Sequence, residues 1–198
     1  MRSACRNCGS HRSVRYPLVE LLTGVIWLIT AIRYGFTLES VALVYLFSIL
    51  IAAAFIDVEH MIIPNGLVLS GLAGGMAVFL CHILYRPFDL YGSASWYAPF
   101  IGMVSASGIL FLVAITGFLI YKDDGAMGMG DVKLFLPIGM FLGWRLALLS
   151  LVIAVLIGGA ISVILLIFKI KDRKSAIPFS PFIVAASFIA GLFGLQML

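Results

Sequence analysis

Charged residues are scarce in this chain: they make up 11% of its 198 residues, whereas hydrophobic residues make up 63%. A soluble domain carries about 25% charged residues, so the composition excludes an ordinary soluble enzyme and indicates a protein solvated mainly by lipid. The basic residues are not gathered on one face, which argues against nucleic-acid binding. No apolar segment typical of a secretory signal peptide precedes the first long hydrophobic run, so we expect the membrane spans themselves to direct insertion.

Long hydrophobic runs, by contrast, are abundant. A membrane-spanning helix needs about 20 apolar residues, and the runs predict an all-α, polytopic membrane helical bundle of about seven spans. The predicted spans are residues 17–34, 39–57, 65–85, 99–121, 132–143, 145–168 and 179–197. The stretch from 132 to 168 is too long for one span and is interrupted at Gly143, Trp144 and Arg145, so we interpret it as a hairpin of a short span and a longer one.

The distribution of basic residues predicts the orientation of this bundle. If the N-terminus is cytoplasmic, ten basic residues lie in or beside cytoplasmic segments and three lie on the other side, as the positive-inside rule requires. The chain then divides into a cytoplasmic tail, residues 1–16, and a membrane domain, residues 17–198. The same orientation places both Asp57 and Asp131 at the cytoplasmic boundary, although neither residue enters the charge count.

Asp57 and Asp131 are the candidate catalytic residues. Each lies at the end of an apolar run or beside one, and a carboxylate at membrane depth marks a functional site by default. Each also has a structural alternative: Asp57 terminates a helix, and Asp131 caps a helix N-terminus after a glycine. Their positions on separate spans at one predicted face favour aspartyl acid–base chemistry over these alternatives.

Amide hydrolysis by two carboxylates needs one ionised group, which activates water, and one protonated group, which donates to the carbonyl oxygen and later to the leaving amine. Like charges held close together cannot both ionise cheaply, so such a pair shares a proton. Neither a metal ion nor a covalent intermediate is required. We expect Gly128 and Gly130 to let the backbone turn sharply beside Asp131 and to let a substrate strand approach it closely.

Three other residues near the aspartates are candidates for supporting roles. Pro64 is expected to break the helix soon after Asp57 and to let a new helix begin at Asn65. Glu20, at the start of the first span, is either an interfacial group at a helix N-terminus or part of the site. Lys133 either tunes the aspartate pair or extends to the lipid head groups.

Cys5 and Cys8 form a CxxC motif in the predicted tail. The motif matches half of a four-ligand zinc site, and the nearby sequence offers only His11 as a further ligand. We therefore expect a zinc half-site, a thiol pair or a remnant of a zinc site. Cys81 lies in an apolar run, where a small packing residue is the expected role.

Four segments, in order along the chain, resemble the type IV prepilin peptidases. They are RYPLVELLTG (15–24), AAAFIDVEHMIIPN with Asp57, GAMGMGDVKLF with Asp131, and AIPFSPFIVAA (176–186). The second and third match the two catalytic segments of the family, including its GxGD motif, and Lys133 matches the lysine that follows. The resemblance implies an aspartic endopeptidase of the prokaryotic inner membrane. Such an enzyme removes the short, basic, cytoplasmic leader of prepilins or pseudopilins, usually after a glycine, and needs no cofactor for proteolysis.

The chain departs from the family pattern in its N-terminal region. Family members usually begin with one more span and carry two CxxC pairs that bind zinc, whereas this chain has Cys5 and Cys8 alone, in the position of the second pair. Many members also methylate the new N-terminus with S-adenosylmethionine, an activity tied to the missing region. We therefore predict peptide cleavage and leave methyl transfer open. A naturally short form and a fragment of a longer protein are both consistent with this pattern, and the oligomeric state is also open.

A small proton- or cation-coupled transporter is the main alternative function, because intramembrane carboxylates also serve pumps. Such transporters often show internal repeats and helices broken at mid-membrane, and the two halves of this chain show no convincing repeat. The presenilin-like proteases, which also use GxGD, are a third possibility. Their motif before the last span is Pro-Ala-Leu, whereas this chain has Ile-Pro-Phe-Ser-Pro at 177–181, which favours the prepilin peptidases.

Overall fold

Six helices form the part of the chain that a computed structural model describes, residues 15–85, 91, 96–121, 128–168 and 178–197. In chain order they are α1 (Arg15–Tyr34), α2 (Leu38–His60), α3 (Asn65–Tyr85), α4 (Ala98–Tyr121), α5 (Met129–Ile167) and α6 (Ser180–Met197). These described residues contain no strand. The helices α1 to α5 are long and apolar enough to cross a membrane. The predicted all-α membrane bundle is therefore confirmed.

Helix α2 packs against four other helices, α1, α3, α5 and α6. The Thr37 side chain caps its N-terminus by accepting a hydrogen bond from the N–H of Ser40. At the other end, Met61 adopts a left-handed conformation with φ 53°, and its N–H donates to the carbonyl of Asp57 over 2.7 Å. The Asp57 carbonyl still takes part in helical bonding, so α2 continues to His60. The sequence predicted that this span ends at residue 57, which is three residues too early.

Helix α5 explains why there are six helices where the sequence predicted seven spans. It contains 39 residues, but Gly143 has the non-helical torsions φ 72° and ψ 176° and divides it into a first arm, 129–142, and a second arm, 144–167. A positive φ of this kind is readily adopted only by glycine. The predicted fifth and sixth spans, 132–143 and 145–168, are these two arms.

Contacts along the first arm show that it runs parallel to α3. A Cβ atom on Gly71 would lie 2.8 Å from Pro137, and one on Gly75 would lie 2.9 Å from Met140. Residue numbers therefore increase in the same direction along α3 and along the first arm. Since α3 begins where α2 ends, the first arm also begins at that end of the bundle.

The second arm runs in the opposite direction, antiparallel to α6. A Cβ atom on Gly194, late in α6, would lie 2.5 Å from Leu146, at the start of the arm. A Cβ atom on Gly158, further along the arm, would lie 2.9 Å from Phe179, just before α6. The chain therefore reverses direction at Gly143, as predicted for a hairpin.

Helix α4 packs closely on the first arm through a pair of glycines. A Cβ atom on Gly102 would lie 2.4 Å from the carbonyl oxygen of Gly139, and one on Gly139 would lie 2.3 Å from the backbone of Gly102. Small residues let membrane helices approach to backbone contact. This contact holds the first arm, and with it the start of α5, against the rest of the bundle.

The end of α2 and the starts of α3, α5 and α6 lie at the same end of the bundle, which we call the aspartate end. Ile63, in the connection after α2, contacts Gly130 in the first turn of α5. Ser180, the first residue of α6, contacts Asp57. Both sequence-predicted aspartates, Asp57 and Asp131, lie at the aspartate end.

Candidate active site

Asp57 lies in the last turn of α2 and is buried, with 8% of its surface exposed. Its carboxylate accepts a hydrogen bond from the hydroxyl of Ser180, with 2.6 Å between Oγ and Oδ2. Its backbone carbonyl accepts the bond from Met61 that closes α2. The C-terminus of α2 and the N-terminus of α6 thus fix this carboxylate together.

Asp131 lies in the first turn of α5 and is buried to the same extent, with 8% of its surface exposed. Gly128 occupies the N-cap position, and its carbonyl accepts a hydrogen bond of 3.0 Å from the N–H of Asp131. The alternative in which Asp131 itself caps the helix is therefore wrong. An acidic group in the first turn still lies near the positive end of the helix dipole.

The two glycines of the GxGD motif lie where an added Cβ atom would meet close neighbours. Gly35 and Gly143 are the glycines with positive φ among the described residues, so neither Gly128 nor Gly130 has a backbone conformation that only glycine adopts. The sharp turn expected beside Asp131 stays a prediction. A Cβ atom on Gly128 would lie 3.3 Å from Oδ2 of Asp131. A Cβ atom on Gly130 would lie 3.2 Å from the side chain of Ile63. Gly128 therefore leaves room for the carboxylate, and Gly130 lets α5 approach the connection after α2.

The side chains of Asp57 and Asp131 are both buried at the aspartate end of the bundle. They come from separate helices, and the contact between Ile63 and Gly130 holds those helices together beside them. Two carboxylates held near each other out of water do not both ionise cheaply. The arrangement is therefore suited to a pair that shares one proton, which is the state from which two-aspartate hydrolysis begins.

Pro64 and Lys133 both act on the start of α3. The carbonyl of Pro64 accepts hydrogen bonds from the N–H groups of Leu67 and Val68, and α3 begins at Asn65, as predicted. Lys133 is exposed and donates from Nζ to Oδ1 of Asn65 over 3.1 Å. This bond connects the first turns of α5 and α3 across the aspartate end.

Glu20 is exposed on α1, and the described part of the chain gives it no hydrogen bond or ion pair. The start of α1 is held at the aspartate end by an ion pair of 2.5 Å between Arg15 and Glu59, both about half-exposed. Glu59 and His60 are both exposed at the end of α2. The structure therefore places Glu20 on the helix beside this end and does not connect it to either aspartate.

Within the described residues, metal ligands do not gather at this site. Among the residues that the structure describes, no group of three or more His, Cys, Asp or Glu side chains could hold a metal ion. Cys5 and Cys8 lie outside the described residues, so the predicted zinc half-site remains a prediction. Cys81 is a free, partly buried cysteine in α3.

Ser180 is the residue at the site that sequence reasoning missed. It is fully buried and contacts Asp57 directly, although 123 positions separate the two along the chain. Its segment was matched to the family, but a serine between two prolines at a helix start carries no acid–base signal of its own. The one feature of the sequence that could have indicated Ser180 is that it is a polar residue at the edge of an apolar span.

Comparison with known proteins identifies the family. The sequence model of the type IV leader peptidase family matches residues 44–163 of this chain, which include both aspartates. This chain belongs to that family. A second model, the bacterial peptidase A24 N-terminal domain, matches residues 1–34. No solved structure matches the chain.

Curated relatives cover nearly the whole of this chain. A prepilin leader peptidase/N-methyltransferase of Bacillus subtilis is 34% identical over 98% of the chain and 72% of the relative. Proteins of the same name from Legionella pneumophila and Aeromonas salmonicida are 32% and 31% identical, and the chain spans 64% and 63% of their lengths. The resemblance to the prepilin peptidases and the expected enzyme class, a leader peptidase, are therefore confirmed. The transporter alternative is not favoured.

Proposed function

We propose that this chain is an intramembrane aspartic endopeptidase that cleaves the basic leader from prepilins or pseudopilins, with Asp57 and Asp131 as its catalytic pair. Membership of the leader peptidase family supports the reaction and the class of substrate. One observation carries the choice of residues: two buried carboxylates, from the end of α2 and the start of α5, lie at one end of the bundle, where Ile63 packs against Gly130.

In the proposed reaction, the ionised carboxylate takes a proton from water as the water oxygen attacks the scissile carbonyl carbon. The protonated carboxylate donates its proton to the carbonyl oxygen, which gives a tetrahedral diol. When the C–N bond breaks, the first carboxyl group passes its proton to the leaving nitrogen, and the second regains one from a diol hydroxyl. The leader departs as a carboxylic acid and the mature protein as an amine. The pair ends with one proton, as it began, so hydrolysis needs no cofactor.

The aspartate end is proposed to face the cytoplasm in the inner membrane of a prokaryote. The excess of basic residues at the predicted cytoplasmic segments supports this orientation. A basic leader would then approach the pair from that side. The exposed carboxylate of Glu20, beside this end, is available to attract such a leader electrostatically.

The supporting residues have distinct proposed tasks. Gly128 leaves space for the Asp131 carboxylate, and Gly130 lets the first turn of α5 pack on Ile63. Pro64 begins α3, and Lys133 connects α3 to α5 through Asn65. Together these contacts hold the start of α5 in register with the end of α2.

Zinc and methyl transfer lie outside the proposed hydrolysis. Cys5 and Cys8 offer thiolates suited to zinc, but a four-ligand site would need two more ligands than this motif supplies. We therefore expect the double substitution Cys5→Ser and Cys8→Ser to leave peptide cleavage largely intact. Complete loss of cleavage by a protein that still inserts would show that the motif supports the peptidase fold. Methyl transfer from S-adenosylmethionine can be measured on the same preparation.

The test is cleavage of a prepilin-like substrate in proteoliposomes by the wild type and by Asp57→Asn and Asp131→Asn. General acid–base catalysis contributes about 100- to 10,000-fold, so each variant should lose at least this factor. Glu39→Gln is the matched control, because Glu39 is buried to the same 8% on the same helix but lies at the opposite end of α2. It should keep cleavage near the wild-type rate.

Two results would contradict the proposal. Wild-type turnover by either folded Asn variant would show that the substituted aspartate does not belong to the catalytic pair. Loss of activity in Glu39→Gln equal to that in the aspartate variants would point to a general cost of removing buried charge. If the wild type cleaves nothing, proton flux across the same vesicles would test the transport function directly.

A further inference from the structure

Ser180 is a buried polar group that the hydrolysis described above does not use. Its side chain is fully buried, and its hydroxyl donates to Oδ2 of Asp57 over 2.6 Å. Hydrogen bonds from a hydroxyl to an ionised carboxylate are short, about 2.5–2.7 Å. The hydroxyl of Ser180 is therefore placed to stabilise the Asp57 carboxylate whenever that group is ionised.

The backbone around Ser180 is held by the start of α6. The carbonyl of Phe179 accepts hydrogen bonds from the N–H groups of Phe182 and Ile183, so Ser180 lies in the first turn of the helix. Pro181 follows it, and the fixed φ of proline suits the first turn. The hydroxyl thus projects from a constrained backbone. Because Ser180 lies at the N-terminus of α6, the positive end of that helix dipole is close to the Asp57 carboxylate.

We propose that Ser180 is a positioning residue that holds Asp57 as the ionised member of the pair. This inference rests on the proposed Asp57–Asp131 pair. Because the hydroxyl occupies Oδ2, the other oxygen, Oδ1, is the atom that takes the proton from water. The shared proton then resides on Asp131, which donates it to the scissile carbonyl oxygen.

The helix termini alone would assign the opposite roles. Asp57 lies in the C-terminal turn of its own helix, where a negative charge is disfavoured, and Asp131 lies in an N-terminal turn, where it is favoured. A hydrogen bond to an ionised group contributes more than an interaction with a helix end. Ser180, with the N-terminus of α6 behind it, is therefore what reverses the preference.

The test compares steady-state cleavage by Ser180→Ala, Ser180→Cys and Ser180→Thr in proteoliposomes. Loss of a hydrogen bond to an ionised group should lower kcat about 10- to 100-fold in Ser180→Ala, with KM within about twofold of the wild type. Cysteine keeps a hydrogen-bond donor at this position but donates weakly, so the kcat of Ser180→Cys should fall between those of Ser180→Ala and the wild type. Threonine keeps the hydroxyl and should restore most of the rate.

Ser187→Ala provides the matched control for the loss of a buried hydroxyl. Ser187 lies on the same helix, is also fully buried, and shares a hydrogen bond of 2.9 Å with Ser150 away from the aspartates. We expect Ser187→Ala to lower the melting temperature about as much as Ser180→Ala and to leave kcat unchanged. Equal losses of kcat in both variants would show that Ser180 is merely structural.

Two further outcomes would overturn the inference. One is a wild-type kcat in folded Ser180→Ala. The other is a rate in Ser180→Thr as low as that in Ser180→Ala, since a hydroxyl would then not suffice. Asp57→Asn and Asp131→Asn are assayed in parallel to test the catalytic pair separately. If both are inactive while Ser180→Ala is fully active, the catalytic pair is supported and the positioning role of Ser180 is wrong.

Discussion

Substitution of Gly128 by alanine tests the geometry beside Asp131 with the smallest available change. The added Cβ would lie 3.3 Å from Oδ2 of Asp131, which is closer than most contacts of such an atom, and 3.9 Å from the carboxyl carbon. The backbone at Gly128 has φ −67° and ψ 117°, an extended conformation that alanine adopts without strain. Among the described residues, the group that has to move is therefore the carboxylate.

The expected effect on stability is small because two contributions oppose each other. Alanine is a poorer N-cap than glycine, which costs about 0.5–1 kcal/mol. Replacing glycine at a compatible backbone position restricts the unfolded chain and stabilises by about 0.4–1 kcal/mol. The free energy of unfolding should thus change by less than about 1 kcal/mol.

The expected effect on catalysis is larger. Relieving the contact requires the Asp131 carboxylate to shift by a few tenths of an ångström, and a misplacement of 1 Å at a reacting group costs about 100-fold in rate. A shift of about one third of that distance corresponds to roughly fivefold if the cost in free energy scales with the displacement. We therefore predict a fall in kcat of about three- to tenfold.

The assay is cleavage in proteoliposomes together with the melting temperature of Gly128→Ala in detergent. Gly66→Ala is the control, because Gly66 lies in the first turn of α3 at the same end of the bundle and an added Cβ would meet no atom within 4 Å. It should retain full activity. Wild-type kcat in Gly128→Ala, or an equal loss in Gly66→Ala, would refute the argument that space beside Asp131 is limiting.

Two further predictions concern the packing that holds α5 in place. Gly102→Ala should destabilise the protein strongly, because the new Cβ would lie 2.4 Å from the carbonyl oxygen of Gly139, whereas Gly108→Ala on the same helix would meet no atom within 4 Å. Equal melting temperatures for the two variants would contradict the close approach of α4 and α5. Gly143→Ala forces an L side chain into φ 72° and ψ 176°, a region adopted essentially only by glycine, which costs about 1–3 kcal/mol. An unchanged melting temperature would indicate that the chain does not turn through this conformation.

The sequence predicted the features that depend on local pattern. Hydrophobic runs predicted the helices, Pro64 predicted the break before α3, and the interruption near Gly143 predicted the reversal within α5. Each of these rests on residues close together in the chain. The placement of Asp57 and Asp131 at one end also followed, because alternate spans return the chain to the same face.

Features that depend on contacts between distant segments were not predictable in this way. The bond from Ser180 to Asp57 exists because α6 begins beside the end of α2, which no local pattern states. The contact between Gly102 and Gly139 selects two glycines from the many in the spans, and this selection is made by helix packing. The extension of α2 past Asp57 depends on the left-handed cap at Met61.

The measurement that tests the central claim most directly is a double-mutant cycle on the two aspartates. Cleavage rates of Asp57→Asn, Asp131→Asn and the double variant are compared with that of the wild type under single-turnover conditions. Residues that act as one unit are strongly non-additive, so all three variants should share the same low residual rate. A double variant whose loss equals the product of the single losses, or a single variant with wild-type turnover, would contradict a catalytic pair.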